Sequence, residues 1–196
     1  MDQFIYLLPG HGGRIINGLG QALGNLGFDV VGRETVGEFN KLDFDFQVET
    51  IAQDLKDNFW RDDALVIANS YGAYLLLHAL SSLAVFPGKI LLLSPIVGEF
   101  SSETICMGFT PPYADRLHTL ASQGKYPIPS QCEIHVGSED WQSIPGNVTA
   151  FASLVNARVT VVKGAGHSLP KDYVAGVLDS WLTFYMKRNS EVQMNP

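Results

Sequence analysis

The chain has 196 residues, with 20 acidic side chains against 13 Lys and Arg and a formal net charge of −7. Lacking any basic cluster, it is a poor match for nucleic acid or an anionic membrane surface, and no apolar run approaches the ~20 residues of a membrane span. A chain of this length buries roughly 70% of its unfolded surface, enough for one full core and too little for two, so a single domain over 1–196 is expected.

Short apolar runs alternate with longer helical segments throughout. That pattern implies an α/β protein with a mostly parallel sheet of about six strands and helices on both faces. Residues 1–8 lack the basic start and apolar core of a secretory leader, so a cytoplasmic location is expected. Residues 4–8 read as the first strand, 15–26 as the helix after it and 28–31 as the second strand. A helix over 46–60 places Val48, Ile51, Leu55 and Phe59 on one face. Residues 64–68 form a central strand and 71–83 the helix that follows. Strands at 89–93, 132–136 and 158–162 complete the sheet, a closing amphipathic helix spans 172–187, and the polar residues 188–196 are expected to fray.

The interval 98–131 breaks the alternation. It holds no strand candidate, is punctuated by Pro111, Pro112, Pro127 and Pro129, and has one helical stretch at 113–122. An insertion of this length is more often a lid or binding segment than an idle loop. Cys106 and Cys132 have no metal-like spacing and read as buried or incidental thiols.

Ser70 lies in Ala68-Asn69-Ser70-Tyr71-Gly72, directly between the central strand and its helix. A serine at such a junction, with small residues two before and two after it, is the pattern of a nucleophile elbow, where the backbone turns too sharply to tolerate bulk. A serine there is also a common helix cap, so the other strand ends decide. After the first strand comes Pro9-Gly10-His11-Gly12-Gly13, after the fifth Gly137-Ser138-Glu139-Asp140, and after the sixth Gly164-Ala165-Gly166-His167. In an open parallel sheet the crevice beyond the carboxyl ends of the strands binds ligands. A seryl hydroxyl needs a base within about 3 Å, and an imidazole, which ordinarily titrates near 6.5, suits that task.

A second reading weighs Gly18-Leu19-Gly20-Gln21-Ala22-Leu23-Gly24 as a dinucleotide fingerprint. The phosphate loop must start where the strand ends, and here the strand ends near Leu8, about ten residues too early. These glycines therefore read as small residues that let the helix pack closely on the sheet. No His-Glu-x-x-His or comparable spacing appears, so neither a metal nor another cofactor is expected.

With Ser70, the acid and the histidine in that chain order, the sequence from Phe4 to about Lys187 resembles the α/β-hydrolases, and among them the compact retinoblastoma-binding-protein-9-like serine hydrolases. Ala68 stands where the elbow usually has glycine, and residues 4–8 correspond to the family's third strand. The resemblance implies Ser70 as nucleophile, His167 as general base and Asp140, rather than its neighbour Glu139, as the acid that orients the imidazole. It also implies an oxyanion hole of the Tyr71 N–H with an N–H of the glycine turn, Gly13 first and Gly12 beside it. His11 would hold that turn by a hydrogen bond. Phe100, Ile105, Met107, Phe109 and Tyr113 form an apolar set for an acyl pocket or ordinary core, and His118 is a candidate substrate contact. His78 and His135 read as packed or surface residues. The expected partner is a small-molecule ester or thioester, with a non-catalytic binding protein on the same fold as the alternative.

Overall fold

The computed structural model describes residues 4–104 and 106–193, so Ile105 lies outside the described residues. In chain order the strands are Phe4–Leu8 (β1), Asp29–Gly32 (β2), Leu65–Asn69 (β3), Lys89–Leu93 (β4), Phe100–Ser102 (β5), Met107–Phe109 (β6), Gln131–Gly137 (β7) and Arg158–Val162 (β8). The helices are Gly18–Asn25 (α1), Gly37–Lys41 (α2), Phe44–Asp54 (α3), Ser70–Leu80 (α4), Arg116–Ser122 (α5), Pro145–Leu154 (α6) and Lys171–Gln193 (α7), with a π-helical turn Leu55–Phe59 extending α3.

Six strands form one sheet in the order β2-β1-β3-β4-β7-β8, parallel at every pairing. Side chains along a strand alternate between faces. Tyr6, Leu8, Val66, Ala68, Ile90 and Leu92 therefore join the core under α3, α4 and α6, while Ile5, Leu7, Leu65, Ile67 and Leu91 join Leu23 of α1 and Leu178 and Leu182 of α7 on the other side. Both faces are covered, which is why these strands read as continuous apolar runs. The chain leaves β1 toward β2 and returns past β1 to β3, so the strand order reverses between β1 and β3, and the carboxyl ends of these two strands are where such sheets place their ligands. Leu8 pairs with Ala68 in that register, which sets Pro9 and its glycine turn beside Ser70.

The sheet and its two-sided cover match the expected architecture, and the differences are local. The interval 98–131 does contain strands: β5 and β6 form a separate antiparallel hairpin, Phe100 opposite Phe109, too short for a period-two pattern to show. α2 and α6 were not expected. α6 opens on Pro-Gly and is rich in poor helix formers, and Pro145 at its first turn was the available signal. α7 continues past Lys187 to Gln193, and residues 194–196 lie outside the described residues. Of the three glycines in α1 only Gly20 is crowded, its Cβ position 3.1 Å from Leu7 Cδ2 and closer still to the Ile15 carbonyl, whereas Gly18 and Gly24 face nothing within 4 Å. Close packing on the sheet thus explains Gly20 alone. Cys106 and Cys132 are free thiols, and no helix among the described residues is long and apolar enough to cross a membrane.

Candidate active site

Ser70 begins α4 directly where β3 ends, and its φ of +51° lies in the left-handed region that non-glycine residues rarely adopt. Such strain survives only where surrounding structure over-determines it. Here the determinants are Ala68, fully buried in the sheet, and Gly72, whose Cβ position would lie 2.3 Å from the Leu8 carbonyl oxygen and 2.4 Å from that of Pro9. Any side chain at position 72 would collide with β1. Asn69 steadies the crossing from the other side, its Oδ1 accepting the Gly10 N–H at 2.9 Å.

The Ser70 hydroxyl lies 2.8 Å from His167 Nε2, and His167 Nδ1 lies 3.0 Å from both carboxylate oxygens of Asp140. The carboxylate places the imidazole proton on Nδ1 and leaves Nε2 free to accept from the serine. The two loops that carry acid and base clasp each other. The Glu139 N–H donates to the Ala165 carbonyl at 2.9 Å, and the Gly164 N–H donates to Ser138 Oγ at 2.8 Å. The Asp140 side chain is fully buried, whereas Glu139 is exposed. A buried carboxylate must be paired or hydrogen-bonded, and besides the imidazole Asp140 Oδ1 accepts the amides of Gln142 at 2.9 Å and Ser143 at 2.8 Å. Among the described residues no group of three His, Cys, Asp or Glu side chains is arranged to hold a metal ion.

Ser143 and Thr35 were not legible as site residues. The buried Ser143 hydroxyl donates to the Ser94 carbonyl at 2.5 Å and sits 3.5 Å from His167 Nδ1, which ties the acid turn to the end of β4. Thr35, also buried, accepts the Gly13 N–H at 3.0 Å and its hydroxyl bonds to the Gly10 carbonyl. The same turn has Gly13 N–H on the Gly10 carbonyl at 2.9 Å and Gly12 N–H on the Thr35 carbonyl at 3.2 Å. Both glycine amides expected to serve an oxyanion are engaged within the turn. The amide of His11 has no acceptor among the described residues and follows Gly10, whose Cβ position would lie 3.0 Å from Ser70 Cβ. His11 does not hold the turn; Thr35 does, while the exposed His11 ring meets the Tyr71 ring edge-on. Tyr71 N–H lies in the first turn of α4, where no intrahelical acceptor exists.

The interval after β4 lies beside this row at its hairpin. Phe109 of β6 packs edge-on against Tyr71, Phe100 of β5 packs against Phe109, and Met107 is exposed. Tyr113 anchors the base of the segment, its hydroxyl donating to Asp45 at 3.1 Å, while Tyr74 donates to the Pro112 carbonyl at 2.6 Å. His118 is exposed on α5, whose buried residues are Leu117 and Ala121, and it makes no hydrogen bond or ring contact among the described residues. The structure does not bring His118 to the row. His135 is buried in β7 with both ring nitrogens satisfied by Tyr173 and Glu133.

His78 is packed, as expected, but without partners. Its ring stands among Phe44, Tyr74 and Tyr113, and neither nitrogen has a hydrogen-bond partner among the described residues. Burial first, and the Arg116 charge second, push its pKa down to about 4. An unfolded chain binds this proton near pH 6.5, so the stability that neutral His78 permits is complete above pH 6.5 and is lost as pH falls toward 4, about 3 kcal/mol in all. His78→Phe should flatten the dependence of Tm on pH in that window; an unchanged slope would exclude His78 as its source.

No protein-family model and no curated protein matches the chain. Solved structures do. A carboxylesterase of the Thaumarchaeon Nitrososphaera gargenis superposes with a TM-score of 0.63 at 14% identity, covering 95% of this chain and 92% of that one. Est1E from Butyrivibrio proteoclasticus gives 0.65 at 12%, covering 95% and 89%, and the monoacylglycerol lipase of Paleococcus ferrophilus gives 0.62 at 11%, covering 93% and 94%. With a six-stranded parallel sheet, helices on both faces and a serine at the turn out of its central strand, the chain has the α/β-hydrolase fold.

Proposed function

We propose that the chain is a serine hydrolase cleaving esters or thioesters of small to medium acyl groups through an acyl-enzyme on Ser70. The observation that carries this reading is the unbroken row from Ser70 Oγ through His167 to a buried Asp140, at a strained elbow. Within the fold, a chain of 196 residues is close in size to the compact retinoblastoma-binding-protein-9-like group, which we favour.

In this reading Ser70 Oγ attacks the acyl carbon as its proton passes to His167 Nε2. Asp140 stays ionised and stabilises the imidazolium. The amides of Tyr71 and His11 receive the oxyanion, a role left open to them because neither has an acceptor among the described residues, Tyr71 following Ser70 and His11 following Gly10. Collapse breaks the bond to the leaving group, which takes the proton from Nε2–H. Water then repeats the sequence on the acyl-enzyme and frees Ser70. The segment 98–131 acts as a cap, its hairpin bordering the acyl site.

A fluorophosphonate probe tests this directly. Labelling of the folded protein at Ser70, mapped by mass spectrometry, is the expected result; a folded protein that does not label would be a binding protein on a hydrolase fold. Ser143 gives a second check. Ser143→Ala leaves the Ser94 carbonyl without its buried donor and loosens the turn holding Asp140, so kcat should fall about 10-fold with KM unchanged and with a stability loss of about 1–3 kcal/mol. Ser143→Thr, which keeps the hydroxyl, should recover most of kcat; equal kcat for both variants would deny Ser143 a positioning role.

A further inference from the structure

We infer that the site selects esters whose acyl group carries a flat aromatic ring, through an arc of rings that runs beside the catalytic row. This inference rests on the serine-hydrolase reading above. The arc starts at His11 in the glycine turn, whose ring meets Tyr71 at 6.2 Å between centroids and 79° between planes. Tyr71 meets Phe109 at 6.3 Å and 72°, Phe109 meets Phe100 across the hairpin at 5.6 Å, and Phe100 meets Trp141 at 5.6 Å and 75°.

One end of the arc neighbours the serine end of the row and the other is bonded to its acid. His11 follows Gly10, the residue packed on Ser70, and Trp141 follows Asp140. The arc therefore spans the same ground as Ser70, His167 and Asp140, so an acyl group held at Ser70 has aromatic surface along one side.

The hairpin that carries the middle of the arc adds nothing to the main sheet, since β5 and β6 pair only with each other. It nevertheless leaves Phe109, which packs on Tyr71 next to Ser70, 42% exposed, and Met107 on the same short strand 59% exposed. Clustered apolar exposure next to a reactive group marks a binding surface. A saturated group would gain only buried area there, whereas a flat ring also gains the edge-to-face pairing, with centroids 4.5–7 Å apart, that the rings of the arc already use among themselves.

Methyl phenylacetate and methyl cyclohexylacetate place six-membered rings at the same distance from an unconjugated carbonyl, so the ratio of their kcat/KM values isolates the flat π surface. A ratio of about 3 to 10 in favour of phenylacetate is expected. It should fall toward 1 in Phe109→Leu and in Trp141→Leu, with circular dichroism confirming that each variant is folded. A wild-type ratio at or below 1 would overturn the inference and leave ester hydrolysis standing.

Calorimetric titration of both esters into Ser70→Ala reads the preference without chemistry. Tighter binding of the phenyl ester there, with no fluorophosphonate labelling of the wild type, would support the aromatic site and overturn the hydrolase reading. Equal binding of the two esters, or none, would overturn the aromatic site.

Discussion

Ser70→Ala is expected to lower ester turnover by about 10⁵ to 10⁶-fold, because the only nucleophile in the row is removed while the rest of the site stays in place. The fold should be unaffected, since the alanine keeps the Cβ and the hydroxyl's partner His167 is partly open to water. Ser70→Gly offers an internal control that no ordinary helix cap would show. The residue sits at φ +51°, where a side chain costs about 1 kcal/mol that glycine does not, so the glycine variant should be equally inactive yet have a higher Tm than the alanine variant. Turnover of p-nitrophenyl acetate and a thermal melt of each variant give both readings. Retained turnover in Ser70→Ala would remove the serine from the mechanism, and a lower Tm for Ser70→Gly would contradict the strained elbow.

Asp140→Asn should cost about 10⁴ in kcat with little loss of stability. The asparagine Oδ1 still accepts the amides of Gln142 and Ser143, so the acid turn keeps its shape. Its amide nitrogen, however, faces His167 Nδ1 as a donor and forces the imidazole proton onto Nε2, which then meets Ser70 Oγ as a donor and cannot take its proton. Asp140→Ala separates the two contributions: it loses the tautomer control and also leaves the Gln142 amide and the buried Ser143 amide unpaired, so its Tm should drop well below that of the asparagine variant. If Asp140→Asn retained most of the wild-type kcat, Asp140 would be structural only.

Residues whose role is written in their immediate neighbours were legible from the chain. Ser70 is such a case, because the sharp turn restricts positions 68 and 72 in the same local stretch. His167 and Asp140 were legible as strand-end residues once a parallel sheet was inferred, since such a sheet gathers all its carboxyl ends on one edge. Thr35, Ser143 and Asn69 were not, because their partners lie 22, 49 and 59 positions away and nothing in their own surroundings selects one acceptor over another. The same limit applies to the oxyanion donors. Glycine spacing announces a turn, but which of its amides remains unengaged depends on the Thr35 side chain that arrives from the loop after β2.

The chain alone determined the sheet, its two buried faces and the serine at the sharp turn out of the central strand, since apolar periodicity and steric room at a turn are properties of residues a few positions apart. Tertiary structure alone decided which amides stay free beside Ser70, which hydroxyl ties the Asp140 turn to the end of β4, and that a short hairpin sets Phe100 and Phe109 between Tyr71 and Trp141. Hydrogen bonds and ring contacts act over only a few ångströms, so they take their partners from whatever the folded chain brings near, however distant in sequence.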